Sequence, residues 1–204
     1  MSSPLHADAV RVLTDWAAPD EEQAGLRSAY LDHLASHDDG VFVGCVPAHL
    51  TASAMVLDHS GERVLLTLHR KGGFWSQLGG HCEPGDASLA DAALREAREE
   101  SGIAGLHLVG APDEVLPVEL DRHQLSAAFG RCGEHLDVRY AAVAPEGAEP
   151  VISDESDDLA WFPAAALPAG AVQDLGRLVR RARAALRAQS SDRSSPAVAD
   201  TPSR

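Results

Sequence analysis

The sequence predicts an α/β fold that carries a helical extension at its N-terminus. Apolar residues recur at helical spacing through the first forty residues, strand-like segments follow, and one amphipathic helix lies between two groups of strand candidates. A chain of 204 residues, 45% hydrophobic and 24% charged, has the balance of a soluble globular protein and suffices for one core. We therefore expect an extension over residues 1–44, a main domain over 45–189 and a disordered tail over 190–204.

Two helices are predicted in the extension. The first covers about residues 6–17, with Val10, Leu13 and Trp16 on one face, and Pro19 interrupts it. The second runs from about Asp20 to His37, and its apolar stripe consists of Leu26, Tyr30, Leu31 and Leu34. These helices are expected to lie against the main domain, and they are the predicted interface if the chain forms a homodimer.

The main domain begins with a predicted hairpin, in which TASAMVLD and RVLLTLHR are joined at a turn that contains Ser60 and Gly61. Further strands are predicted over 105–111, 114–121, 135–143 and 159–162. A helix is predicted from Ser88, which can cap its first turn, to Ser101, where Gly102 supplies the left-handed stop. A last amphipathic helix is predicted over 172–189.

Composition excludes several classes of partner. The formal charge of −14 argues against a nucleic-acid polymer, because lysine and arginine supply the affinity for phosphate chains. No apolar run approaches the roughly 20 residues of a membrane span, and the first residues do not resemble a secretory signal. We expect a cytoplasmic protein without a membrane partner, whose three cysteines are free thiols. A small phosphorylated substrate is still compatible with this negative charge, if metal ions bridge its phosphate oxygens to carboxylates.

Three glutamates of the predicted helix carry the strongest chemical signal. Glu96, Glu99 and Glu100 are spaced i, i+3 and i+4, which places their carboxylates on one helix face. Three adjacent like charges are costly unless a cation lies among them, and Mg²⁺ prefers such oxygen ligands. Before the helix, the loop Gly79–Asp86 is rich in glycine, and Arg95 can brace Glu99 four residues later.

This segment resembles the Nudix box, G-x5-E-x7-R-E-U-x-E-E-x-G-U, where U is aliphatic. Its positions are filled between Gly80 and Ile103 by Gly80, Arg95, Glu96, Ala97, Glu99, Glu100, Gly102 and Ile103. There are two departures: Asp86 replaces the usual glutamate, and one extra residue precedes the REAREE helix. The extra residue leaves two possibilities open: Asp86 lies away from Arg95, or the junction before the helix bulges and the two side chains still meet. The resemblance covers roughly residues 45–165 and includes a closing pattern, Glu155-x-x-Asp158-x-x-Trp161.

The resemblance implies an α/β/α sandwich around a mixed sheet and a hydrolase of acid anhydrides that contain phosphorus. The implied reaction cleaves a diphosphate linkage in a small nucleoside-diphosphate-type substrate with metal-activated water, using Mg²⁺ or, in its place, Mn²⁺. The implied metal ligands are Glu96, Glu99, Glu100 and the Gly79 carbonyl. Arg95 would orient a carboxylate, and the general base would be Glu96 or Glu155.

Other residues are candidates for substrate contacts. Arg70 and Lys71 could bind phosphates or only aid solubility, and His81 could hydrogen-bond substrate or be structural. Trp75 could stack on a base but is more typical of a core. Two other functions stay open, a Nudix-fold nucleotide sensor that does not cleave its ligand and an enzyme similar to isoprenyl-diphosphate isomerases. The second would need a reactive cysteine, for which Cys82 in the box loop is the candidate.

Overall fold

The computed structural model of the protein describes residues 2–70, 72–111, 115–124, 132–152 and 156–194. The described helices are α1 (Pro4–Asp15), α2 (Glu21–Ser36), α3 (Leu89–Ser101) and α4 (Leu175–Ser194). The described strands are β1 (Ala48–Leu57), β2 (Arg63–His69), β3 (Trp75–Ser76), β4 (Leu78–His81), β5 (His107–Leu108), β6 (Glu119–Gln124), β7 (Glu134–Val143) and β8 (Ser156–Pro163). All of these strands belong to one sheet.

The sheet is mixed, as predicted, and β1 is at its centre. β1 pairs in parallel with β7 over its whole length, from Ala48 opposite Glu134 to Leu57 opposite Val143. It also pairs antiparallel with β2 and with β4, whereas β7 pairs antiparallel with β5 and β6. β2 pairs antiparallel with β3 and β8. Helices cover both faces, which makes the α/β/α arrangement.

Helices α1, α2 and α3 cover one face of the sheet. Ser3 and Asp20 cap α1 and α2, since their side chains accept hydrogen bonds from the backbone N–H groups of His6 and Gln23. The apolar sides of these helices share one buried cluster with β1, β6 and β7, which includes Leu13, Tyr30, Leu34, Leu50, Leu89, Leu120, Val138 and Tyr140. The N-terminal helices thus contribute directly to the core of the domain.

Helix α4 covers the opposite face and differs from the predicted helix at both ends. It begins at Leu175, because residues 171 and 172 extend the sheet instead. Ala171 forms a bridge with Trp75, and the Val172 N–H donates to the Trp75 carbonyl. It ends at Ser194 rather than Gln189, so the predicted disorder of residues 190–194 was wrong, and 195–204 lie outside the described residues. Leu175, Leu178, Val179 and Ala182 pack against β1, β2 and β7.

One predicted strand is shorter than expected, one is shifted toward the C-terminus, and two short strands were not predicted. The strand expected over 105–111 is only His107–Leu108, and the one expected over 114–121 begins at Glu119. β3 and β4, of two and four residues, are too short for a periodic signal, and β4 contains a glycine pair. Tertiary pairing with β2 and β1 creates these strands. No described helix has the length and hydropathy that crossing a membrane would require.

Candidate active site

The box loop enters the sheet as β4, and two glycines permit its path. Gly79 has φ 151°, and a Cβ there would lie 2.3 Å from the Ser53 Cβ of β1. A Cβ on Gly80 would lie 2.7 Å from Oε2 of Glu96. Only glycine therefore allows β4 to approach both the neighbouring strand and the carboxylate on α3 this closely.

Helix α3 is fixed at both ends by the predicted residues and by one from α1. The Ser88 hydroxyl accepts from the Asp91 N–H, and Gly102 closes the helix in the left-handed conformation at φ 67°. Asp8 of α1 adds a second cap, because its Oδ2 accepts from the Leu89 N–H at 2.9 Å. The N-terminal extension thereby helps to position the helix that carries the glutamates.

Arg95 connects the acidic residues of the site. Its Nε and one terminal nitrogen donate to the two oxygens of Asp86 at 2.9 and 3.1 Å. The other terminal nitrogen donates to Glu96 at 2.9 Å and to Glu99 at 3.1 Å. Asp86 therefore reaches Arg95 despite the extra residue, which is the second of the two possibilities that the sequence left open. The Asp86 N–H donates to the Glu83 carbonyl and closes a turn just before Asp86, whereas the extra residue lies after it, between Asp86 and Arg95.

The electrostatics of this contact favour the charged forms of both groups. Burial raises the pKa of Asp86, but hydrogen bonds from Arg95 and from the Glu83 N–H outweigh burial and lower the pKa overall. The hydrogen bond to Asp86 raises the pKa of Arg95 in turn. Arg95 is thus a permanent cation that holds the carboxylates around it.

The three box glutamates keep the arrangement that helical spacing predicts, but each is held differently. Glu96 is mostly buried and lies against Gly80, whereas the side chain of Glu99 is 61% exposed. Glu100 accepts from the Gly79 N–H at 3.0 Å, which ties α3 to β4. This donor set consists of carboxylate oxygens, which suits a hard divalent cation such as Mg²⁺.

The remaining predicted residues are spread around this site. Arg70, at the end of β2, pairs with Asp157 at 3.2 Å on the surface. Lys71 and Glu155 lie outside the described residues, so their predicted roles stay predictions. Trp75 packs edge-on against Phe162 with ring centroids 4.8 Å apart, and it lies against a buried apolar cluster, as expected for a core residue.

The sheet face beside β4 carries a buried charged network that the sequence analysis missed. The guanidinium of Arg139 pairs with Glu119 at 3.0 Å, with Asp121 at 2.9 Å, with Asp137 at 3.1 Å and with Asp174. Asp137 also accepts hydrogen bonds from Thr51, Ser53 and Gln77. Polar residues at alternate positions of two otherwise buried strands, HLTAS and HLDVR, were the available signal.

Four histidines continue this polar face toward the starts of β1 and β7. His49 lies opposite His135, His135 lies opposite His123, and Thr51 lies opposite His81. Burial and the neighbouring imidazoles lower the pKa of His135 to about 3, whereas a hydrogen bond to Asp121 raises the pKa of His123. Nothing local in the sequence shows that His81 meets His123 and His135, and nothing local singles out His49.

Comparisons with known proteins identify the family. The NUDIX domain family matches residues 47–182, which is more than half of the chain. Among solved structures, a Clostridium perfringens hydrolase of the NUDIX family is 24% identical, with a TM-score of 0.53, and the match covers 69% of this chain and 97% of that one.

Two further structures show the same fold. A C. elegans Ap4A hydrolase is 19% identical, with a TM-score of 0.53, and the match covers 68% of this chain and 98% of the other. The NUDIX domain of Shewanella oneidensis NrtR, complexed with ADP ribose, is 22% identical, with a TM-score of 0.50. The match covers 76% of this chain and 97% of that one. No curated protein sequence matches the chain. The box residues, the mixed sheet between helices and the matched segment together establish that this chain belongs to the Nudix family.

Proposed function

We propose that the protein is a hydrolase that cleaves a diphosphate linkage in a small nucleoside-diphosphate-type substrate and depends on Mg²⁺. The observation that carries the proposal is the cluster of Glu96, Glu99 and Glu100 around Arg95. Helix α3 presents the three carboxylates, and Arg95 restrains two of them directly. An arrangement of this kind, beside a glycine-lined strand, suits the binding of a cation and of a phosphate that the cation neutralises.

The residues fit the cation that the family implies. Glu96, Glu99 and Glu100 would hold it, and the Gly79 carbonyl would complete the set. The fit rests on hard oxygen donors and on Gly80, where a Cβ would occupy the space next to the Glu96 carboxylate. When bound, the cation would neutralise phosphoryl oxygens and favour ionisation of water.

The chain itself supplies orientation and a base. Arg95 stays charged and would keep Glu96 and Glu99 directed at the site rather than react. Glu96 is the proposed general base, and Glu155 is the alternative base from outside the box. Among the substrate candidates, Arg70 forms an exposed ion pair with Asp157. Arg70 would have to give up this ion pair to bind a substrate phosphate.

The geometry argues against an isomerase that uses Cys82. The Cys82 side chain belongs to the buried apolar cluster beneath β1, and burial raises its pKa to about 12. A thiol in that setting is poorly placed to transfer a proton to a substrate carbon. A sensor would be distinguished from a hydrolase by its products, because a sensor binds its ligand and leaves it unchanged.

A substrate panel tests the proposal. Nucleoside triphosphates, ADP-ribose, dinucleoside polyphosphates and isoprenyl diphosphates are incubated with the full chain in Mg²⁺, Mn²⁺ or excess EDTA. We expect hydrolysis of at least one nucleotide, which releases phosphate or pyrophosphate from a triphosphate or two phosphorylated fragments from ADP-ribose or a dinucleoside polyphosphate, with Mn²⁺ able to replace Mg²⁺ and EDTA abolishing turnover. Undiminished turnover in EDTA, an isomerised product, or binding without any product would each overturn the proposal.

A further inference from the structure

Three histidines from three different strands meet at one end of the polar sheet face. Among the described residues, His49, His81 and His135 form the group whose potential metal-binding atoms all lie within 4.8 Å of one another. Their ring centroids are 4.9 to 5.2 Å apart. His49 is fully buried on β1, whereas His81 is exposed at the end of β4.

The hydrogen bonding of His49 leaves one ring nitrogen available to a ligand. Nδ1 lies 3.4 Å from the Cys45 carbonyl, which can only accept, so this contact requires the proton on Nδ1. Nε2 then carries a lone pair, and it is a buried atom without a hydrogen-bond partner in the part of the chain that the structure describes. A ring that donates one N–H to a backbone carbonyl and offers the other nitrogen has the arrangement of a metal ligand.

Cys132 is compatible with this tautomer and is not placed as a ligand. Its sulfur lies 3.3 Å from Nδ1 of His49, on the side of the ring away from Nε2, and its thiol donates to the Glu134 carbonyl at 3.1 Å. The sulfur can therefore accept from Nδ1. The donor set is three imidazoles without a thiolate.

We infer that His49, His81 and His135 form a second metal site, distinct from the box glutamates, that binds a transition-metal dication such as Zn²⁺. Neutral imidazole nitrogens suit Zn²⁺, Ni²⁺ and Cu²⁺, whereas Mg²⁺ requires oxygen donors. Nitrogens bound to one zinc at about 2.0–2.1 Å are roughly 3.3 Å apart, so the cluster must contract by up to about 1.5 Å from separations within 4.8 Å. The exposed His81 ring can supply that movement. Three histidine ligands leave a fourth position open for water or a substrate oxygen.

Zinc titration of the full chain, with excess Mg²⁺ present to occupy the carboxylates, tests the site. We expect one Zn²⁺ per chain, and affinity at least about tenfold weaker in His49→Gln and His135→Asn. Circular dichroism melts of both variants check that each one folds, because His49 is fully buried. If His49→Gln fails to fold, His135→Asn, at a half-buried position, is the variant that tests the site. His107→Asn, which removes an exposed histidine of β5, is the matched control and should bind Zn²⁺ as the parent does.

Two further measurements separate this site from its neighbours. Glu99→Gln should keep the zinc affinity, and cobalt bound in place of zinc should give a visible spectrum without a sulfur charge-transfer band. Equal zinc affinity in the parent and in His135→Asn would overturn the inference, as would loss of zinc binding in Glu99→Gln. A sulfur band that disappears in Cys132→Ser would overturn the three-histidine ligand set. None of these readouts depends on hydrolysis, so the proposed function can fail independently.

Discussion

The guanidinium of Arg95 forms a two-point contact with the carboxylate of Asp86, with nitrogen–oxygen distances of 2.9 and 3.1 Å. The Asp86 side chain is 6% exposed, and that of Arg95 is 22% exposed. Asp86 therefore anchors the same guanidinium that restrains Glu96 and Glu99. The box keeps this contact even though its spacing has one extra residue and its acid is one methylene shorter.

We predict that Asp86→Ala and Arg95→Ala both reduce turnover by at least about tenfold and that their effects are not additive. Without Asp86, Arg95 loses its orientation, and without Arg95, the carboxylates repel one another. Losing this partly buried pair should also lower stability by about 1–3 kcal/mol. Turnover and thermal melts of both single variants and the double variant measure the coupling. Glu83→Gln, at an exposed position of the same loop, is the control, and a fully additive double variant would contradict the prediction.

Glu99→Gln should lower turnover by at least about 10²-fold, equivalent to roughly 2.7 kcal/mol of transition-state stabilisation. Glutamine keeps the size and helix propensity of glutamate, and the side chain is 61% exposed, so the fold should be unaffected. The measurement is turnover at saturating Mg²⁺ with a parallel melt, and Glu146→Gln on an exposed turn serves as the control. More than a tenth of parental activity in Glu99→Gln would remove Glu99 from the set of metal ligands.

The N-terminal helices should be required for stability because Gln23 of α2 pairs with the backbone of β6. Its amide donates to the Leu120 carbonyl at 3.0 Å and accepts from the Leu120 N–H at 2.7 Å. Gln23→Ala leaves both buried backbone groups without partners, so we expect a loss of about 2–3 kcal/mol in the free energy of unfolding. Denaturant unfolding measures the loss. The exposed Ser28→Ala on the same helix should be neutral, and a neutral Gln23→Ala would mean that α2 docks loosely.

The histidine cluster should make the metal-free protein less stable in acid. Burial and the neighbouring imidazoles lower the pKa of His135 from 6.5 to about 3. Between these values the unfolded state binds a proton that the native state does not, so stability falls as pH falls through this window. Unfolding in EDTA at several pH values should give a shallower acid slope for His135→Asn than for the parent. The His107→Asn control should follow the parent, and identical slopes for all three would refute the assignment.

The sequence by itself determined the parts of this protein that depend on local geometry. Helical periodicity places Glu96, Glu99 and Glu100 on one face whatever surrounds the helix. Ser88 and Gly102 delimit that helix for equally local reasons, since one caps orphan N–H groups and the other adopts positive φ. The box, and with it the family, follows from these residues.

Only the tertiary structure decided which distant residues meet. His49, His81 and His135 meet because β1 pairs in parallel with β7 and antiparallel with β4, and a register shift of one residue would turn them to opposite faces. The contact between Asp86 and Arg95 likewise depends on the path of the loop between Asp86 and α3, which counting residues along the chain does not reveal. Strand register and loop closure are set by the packing of the whole domain, so they cannot be obtained from the spacing of residues in any one segment.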